Sequence, residues 1–371
     1  MNNYNTLHKI IFFIFSFILI LISIYGSARH DYNLYTLTWE FFLNNKKEIP
    51  YNSYGPFHLI LFIIYKLHFL APKILFGLLF ILLNYFIFNK ILKKKKIILI
   101  IFFYLTIPCN FLIISYVFFY GVNDSLVSFF FIISIILFLN QKFILSGTFI
   151  SIASLIKFYP ILFFPQFLFQ KKNAAIKILL TTFFSITIFV VFFSILYDYK
   201  LLLEPFTFGI NRSPKFASII ASLNYSFPEN QIIEYLIKYN TYFVIISVLI
   251  IHIFTLLKNT DIFFSIILLN IIILITYKVG HIQFYIPLMV LLSYLLTLNE
   301  KYLLIFKILL PLIFLVSLTS LGYSLTAGYD FMRTADFPWM KIRENIGYIY
   351  FATNLYVITR MLLVFKKFKN Y

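Results

Sequence analysis

The stretch KIIFFIFSFILILISIYGSARHD, Lys9 to Asp31, decides the fold. From Ile10 to Tyr25 it holds no charged residue, and its polar groups are two serines and the Tyr25 phenol. A helix needs about 20 mostly apolar residues to cross the hydrocarbon core of a bilayer. This run reaches that length once its flanks are added. It is bounded by Lys9 on one side and by Arg29, His30 and Asp31 on the other. A short basic start followed by an apolar run and "YGSA" also fits a cleavable signal peptide. The expectation is an uncleaved first helix, because the rest of the chain is equally apolar.

Of the 371 residues, 62% are hydrophobic and 12% charged, with a mean hydropathy of +0.93. A soluble domain is about 25% charged. The chain therefore reads as a polytopic membrane protein. Phe, Ile, Tyr, Lys and Asn are over-used, as in AT-rich coding, so the 22% aromatic content is discounted as a functional signal. The net charge of +18 reads as lysine and arginine enrichment in cytoplasmic loops, not as affinity for nucleic acid. The single cysteine, Cys109, excludes an intramolecular disulfide and a cysteine-based zinc site. There is no Gly-rich phosphate loop and no H-E-x-x-H.

Apolar runs predict spans at roughly 9–25, 72–92, 97–119, 124–140, 143–157, 160–170, 174–197, 241–257, 261–277, 282–298, 302–322 and 346–366. The fold class expected is an all-α membrane bundle of about ten to twelve helices, without a separate soluble domain. The pieces 143–157 and 160–170 meet at Pro160 and read as broken half-helices lining a cavity. The segment 56–72 carries His58, Lys66 and His68, and reads as interfacial. That choice puts the lysines at 90–96, 171–177, 258, 301 and 366–369 inside, with Asp261 and Glu300. The long mixed loops, 26–72, 198–240 and 321–347, then lie outside. No internal repeat of the transporter kind is visible.

Several polar residues collect on that outer side. Asp31 is an interfacial acid or, in a cleft, a general base. "PYNSYGP", Pro50 to Pro56, is a turn or the shaped edge of a cavity. In "GVND", Asn123 and Asp124 either cap the next helix or face a substrate. Lys157 either snorkels or holds a phosphate beside the Pro160 break. "YKVGHIQFYIP" brings Lys278, His281 and Gln283 to another lip, and Arg212 and Lys215 join the same side. An acid that deprotonates a hydroxyl and cations that hold a phosphate leaving group are what lipid-phosphate-dependent glycosyl transfer requires. In principle it needs no metal or other cofactor.

The chain resembles the glycosyltransferase C superfamily, and within it the bacterial polyprenyl-phosphate-mannose-dependent α-mannosyltransferases. The likeness rests on Asp31, Tyr32 and Tyr35, on "PYNSYGP", "GVND", "LSGTFISIASLIKFYPILFFP" (Leu145 to Pro165) and "HIQFY" (His281 to Tyr285). It covers about residues 31–170 and the stretch around His281. Gly55 stands where the first proline of a pair is usual, and Val122 where glutamine is usual. The resemblance implies a catalytic module over about 9–197 and a variable helical part over 198–371. It implies Asp31 as general base. Donor phosphate would lie on Lys157 and His281, with Gln283 nearby and Lys278 and Arg212 as further donors. Sugar or acceptor would meet Asn123, Asp124, Tyr54 and Tyr159. The implied partners are a polyprenyl-phosphate hexose donor, a lipid-linked or glycan acceptor, and membrane lipids. The implied setting is a bacterial inner membrane with an extracytoplasmic site. The competing readings are a flippase or other transporter, a polymerase or ligase of lipid-linked sugars, and a membrane scaffold.

Overall fold

The computed structural model describes residues 2–26, 31–44, 54–170, 172–196, 204–205, 210–327 and 338–369. Arg29, His30, Pro50 and Lys171, named above, lie outside them. The described chain is a helical bundle of the multi-pass membrane type. Six helices are long and apolar enough to cross a membrane: Asn5–Tyr25, Ala71–Lys93, Ala174–Ile195, Asn240–Leu257, Lys301–Leu325 and Asn345–Phe368. The pair Ile113–Phe119 and Asp124–Leu139, bent by 105°, brings the number to seven if counted as one span.

Among the described residues, six or seven of the expected ten to twelve helices reach full-span length. The runs expected at 97–119, 143–157, 261–277 and 282–298 contain shorter helices: Ile97–Thr106, Phe143–Ile156, Ile262–Thr276 and Ile282–Leu295. Local breaks explain two of the shortfalls. Pro108 has no N–H to continue the first, and the chain resumes as a π-helix at Ile113–Phe119. Pro160 sits in a short 3-10 turn, Tyr159–Phe163, between Phe143–Ile156 and Phe164–Gln170. The broken-helix expectation holds there. The 56–72 segment forms two four-residue helices, Pro56–Leu59 and Phe62–Tyr65, too short to span.

Residues such as Phe17, Ile176, Phe183 and Phe184 are 65–69% exposed on long apolar helices. Water would not tolerate that surface; hydrocarbon does. Inside, Phe88 stacks on Phe12 and Phe103 at 5.1 and 5.0 Å. The Asp124–Leu139 and Phe143–Ile156 helices are joined by reciprocal bonds, Ser134 Oγ to the Ser146 carbonyl at 3.0 Å and Ser146 Oγ to the Ser134 carbonyl at 2.9 Å. Small hydroxyl residues let helix backbones approach where no hydrophobic effect drives association.

The polar residues divide between two ends. At one, Lys96 pairs with Glu300, Lys94 donates to the Leu298 carbonyl, and Lys301 meets Asp261 at 3.0 Å. Asp261 also caps its helix, accepting from the Phe264 N–H at 3.0 Å. This lysine-rich end gathers lysines and acids read above as cytoplasmic. At the other end a two-residue parallel strand pair, Lys215–Phe216 with Val279–Gly280, is added to the expected all-α architecture. It ties the segment carrying Arg212 to the lip carrying His281.

Candidate functional site

Asp31 opens the Asp31–Leu43 helix, where a carboxylate is favoured by the positive end of the helix dipole. The next residues fix it in place. Tyr32, Tyr35 and Trp39 are fully buried on one face, and each polar tip is bonded. Tyr32 Oη donates to the Phe69 carbonyl at 2.5 Å, Tyr35 Oη to Asn123 Oδ1 at 3.1 Å, and Trp39 Nε1 to the His58 carbonyl at 3.1 Å. Aromatic bodies with satisfied polar ends make rigid anchors.

Lys157 is held at the broken end of the Phe143–Ile156 helix, in an extended conformation that stops the helix. A carbonyl freed by that break finds a donor across the site: Gly55 N–H bonds the Ile156 carbonyl at 3.0 Å. Gly55 is required by this approach, since a Cβ there would lie 2.1 Å from the Leu155 carbonyl oxygen. The Lys157 ammonium meets Asp124 Oδ2 at 2.6 Å and lies 5.9 and 5.5 Å from the Tyr54 and Phe284 ring centres.

The turn before Asp124 depends on Gly121, whose φ of +70° suits glycine. Against it lies the fully buried Lys73, which the reading above missed. Its Nζ donates to the Phe119 carbonyl at 2.7 Å and the Gly26 carbonyl at 3.3 Å. The first helix and the π-helix are thus tied together beside the site. The signal was a lysine in the first turn of an apolar helix, directly after Pro72, where a cation is electrostatically misplaced unless carbonyls receive it.

His281 and Gln283 come from the lip that follows the strand pair. Gln283 Nε2 donates to Asp31 Oδ2 at 2.7 Å. Arg212 Nη2 donates to His281 Nε2 at 2.6 Å. Arginine only donates, so this imidazole accepts at Nε2 and is neutral. Burial first, and then Arg212, push the His281 imidazole down to about 3. Burial pushes the Asp31 carboxyl up, while Lys157, the Gln283 bond and Arg212 pull it down, and the net direction is down, which favours the carboxylate.

One cavity of about 970 Å³ joins these groups. Its polar end is lined by Asp31, Tyr54, Lys157, Arg212, His281 and Gln283, with Lys215 and Tyr159 also on the wall. The rest of its lining is mostly apolar: Ile161, Leu162 and Phe163 on the broken segment, Val244 and Ile245 on the Asn240–Leu257 helix, and Ile273 and Leu274 on Ile262–Thr276, with Thr241 and Asn270 from the same two helices. Of the ten residues to which a catalytic, phosphate-binding or sugar-binding role is assigned above, seven line this space. Three do not. Lys278 is buried and gives its ammonium to the Ile210 and Ile237 carbonyls at 2.7 and 3.1 Å, so it braces the lip instead of facing a ligand. Asn123 is buried with its amide oxygen on Tyr35. Asp124 lies behind Lys157 and aims that ammonium. All three stand one layer back because their partners are backbone or neighbouring side chains.

The arrangement places a carboxylate beside cations in a cavity whose remaining lining is mostly apolar. It suits a ligand with an anionic head, a neutral hydroxyl-bearing group and a hydrocarbon tail. A scan against protein-family models finds no match to this chain, and no curated protein matches it.

Proposed function

We propose that this protein is a membrane glycosyltransferase that moves a hexose, mannose by its resemblance, from a polyprenyl-phosphate donor to a glycan or lipid-linked acceptor outside the cytoplasm. The observation that carries the reading is one cavity whose lining joins Asp31 to Lys157, His281 and Arg212 and is otherwise mostly apolar. The apolar part of the lining suits an isoprenoid tail, and the cations suit the phosphate. Asp31 takes the proton of the acceptor hydroxyl as its oxygen attacks the anomeric carbon. The bond from that carbon to the phosphate oxygen breaks, and the polyprenyl phosphate leaves with the electron pair. Lys157 and Arg212 stabilise the charge that develops there. Gln283 fixes the orientation of the base through its 2.7 Å bond. The resemblance adds an inverting outcome, which a displacement from the face opposite the phosphate produces.

The test is transfer by membranes containing the full chain, with a polyprenyl-phosphate-linked hexose as donor. A positioned base contributes about 10²- to 10⁴-fold. Asp31→Asn keeps the shape and the acceptor oxygen for Gln283, so protein level should hold while transfer falls by that factor. Unchanged turnover in this variant removes Asp31 as base, and a wild type that transfers nothing from such donors removes the activity.

A further inference from the structure

A group of tyrosines that the mechanism does not use lines the same cavity. Tyr116 and Tyr120 come from the π-helix and its end, and Tyr323 from the Lys301–Ala327 helix. The Tyr116 and Tyr120 ring centres are 5.7 Å apart, and the Tyr116 and Tyr323 rings lie within 22° of parallel at 6.2 Å. Tyr116 meets Tyr120 edge-on, at 64°, so the three phenols form one aromatic cluster on the cavity lining.

The cluster is built rigidly. The π-helix is closed by the Tyr120 N–H on the Ser115 carbonyl at 2.8 Å, five residues back. Such wide turns are rare and are frequently found at functional sites. Two hydroxyl bonds lock it to the helix that supplies Tyr323. Ser324 Oγ donates to Ser115 Oγ at 2.7 Å, and Ser317 Oγ accepts from the Phe111 N–H at 3.1 Å. On the helix the two bonds fall on either side of Tyr323, and on the other element both precede Tyr116, so the two elements are held together beside the rings.

The cluster's place relative to the reacting groups gives its meaning. Asp31 and Tyr116 line the same cavity. The cations gather on the lip and the broken segment, a separate set of elements. A ligand lying on the tyrosines would therefore be distinct from one whose phosphate sits on Lys157 and Arg212. An aromatic face with a phenolic edge suits a flat, weakly apolar C–H surface rimmed by hydroxyls, which describes a pyranose ring.

We propose that Tyr116, Tyr120 and Tyr323 form the subsite for the acceptor sugar, holding a hexose by its ring face so that one hydroxyl reaches Asp31. This rests on the reading of the cavity as a transferase site.

The experiment uses the full chain in nanodiscs with methyl α-mannoside as probe and no donor present, followed by saturation-transfer NMR. Wild type and Tyr116→Phe should both saturate the ring C–H protons, and Tyr116→Leu and Tyr323→Leu should weaken the signal. In the transfer assay with octyl α-mannoside as acceptor, Tyr116→Leu should raise the acceptor KM roughly three- to tenfold, the worth of one aromatic contact. The donor KM should be unchanged. An equal probe signal in both leucine variants, no signal in wild type, or a rise confined to the donor KM would overturn the subsite. A probe that binds through Tyr116 in a chain that transfers nothing would leave the subsite standing and sink the transferase reading alone.

Discussion

At the two ends of the bundle the same residue types meet under different conditions. Lys96 and Glu300 pair with side chains 51% and 75% exposed. Lys157 and Asp124 pair with side chains 11% and 0% exposed. Water and salt screen the first pair, so it adds little and its position is set by topology. The second has given up its hydration, which costs several kcal/mol per ion and is recovered only by close geometry. Charge kept at that cost beside a cavity points to a ligand. Exposed charge at the lysine-rich end points only to which side of a membrane it occupies.

The largest expected effect follows from removing one member of the buried pair. Lys157→Met keeps the length of the side chain but leaves Asp124 buried and unpaired, which should cost about 3–5 kcal/mol. Thermal unfolding in detergent measures it. Adding Asp124→Asn removes the stranded charge and should restore most of the stability. Transfer should stay lost in the double variant, because the cation for the phosphate is still missing. A double variant that is both stable and active would reduce Lys157 to a structural role and erase the difference between the ends.

The sequence disclosed the classes of element better than their lengths. Most apolar runs became helices near the expected residues, and the Pro160 break was visible because proline cannot continue a helix. Fewer of those helices reach full-span length than the apolar runs suggest, because periodicity does not register where a helix stops short. The Ile113–Phe119 segment looks like ordinary span, yet it is a π-helix set by hydroxyl bonds to a helix some 200 residues away. At the site, Asp31, Lys157 and His281 stood out as rare ionisable residues at the edges of apolar runs. Lys278 stood out equally and is a brace, since only tertiary structure shows that its ammonium is spent on two carbonyls. Tyr116 and Tyr323 were hidden by the aromatic-rich composition, among 28 tyrosines.

A second, smaller effect concerns pH. His281 is buried, accepts from Arg212 and lies within reach of Lys157 and Lys215, with Asp31 opposing them. Its imidazole is held down to about 3 in the folded chain, whereas an unfolded histidine takes up a proton near 6.5. Between those values the unfolded state binds the extra proton, so folding stability falls as pH falls. One such group gives a slope of at most about 1.4 kcal/mol per pH unit. His281→Gln can still accept from Arg212 and has no proton to gain. Its melting temperature should therefore fall less steeply than that of wild type between pH 6.5 and 4.5. Parallel curves would mean that His281 is charged in the folded protein, and the Arg212 contact would then be wrongly placed. No comparable difference is expected from Asp31 in this range, because its carboxyl is held below the usual value, which favours the carboxylate.

The smallest effect is expected where charge is most obvious in the sequence. Lys96→Gln and Glu300→Gln each remove the exposed pair, and neither side chain is desolvated in forming it. Melting temperature and transfer should both match wild type, at low salt and at high. Orientation in the membrane should also survive, because Lys90, Lys93, Lys94 and Lys95 remain beside the same helix end and the lysine bias acts collectively. Cysteine labelling at position 95 and at position 31 should still report opposite faces. If Lys96→Gln instead lowered transfer as far as Lys157→Met does, exposure would not separate a topological lysine from a site lysine. The cations around the cavity would then need a different reason for being there.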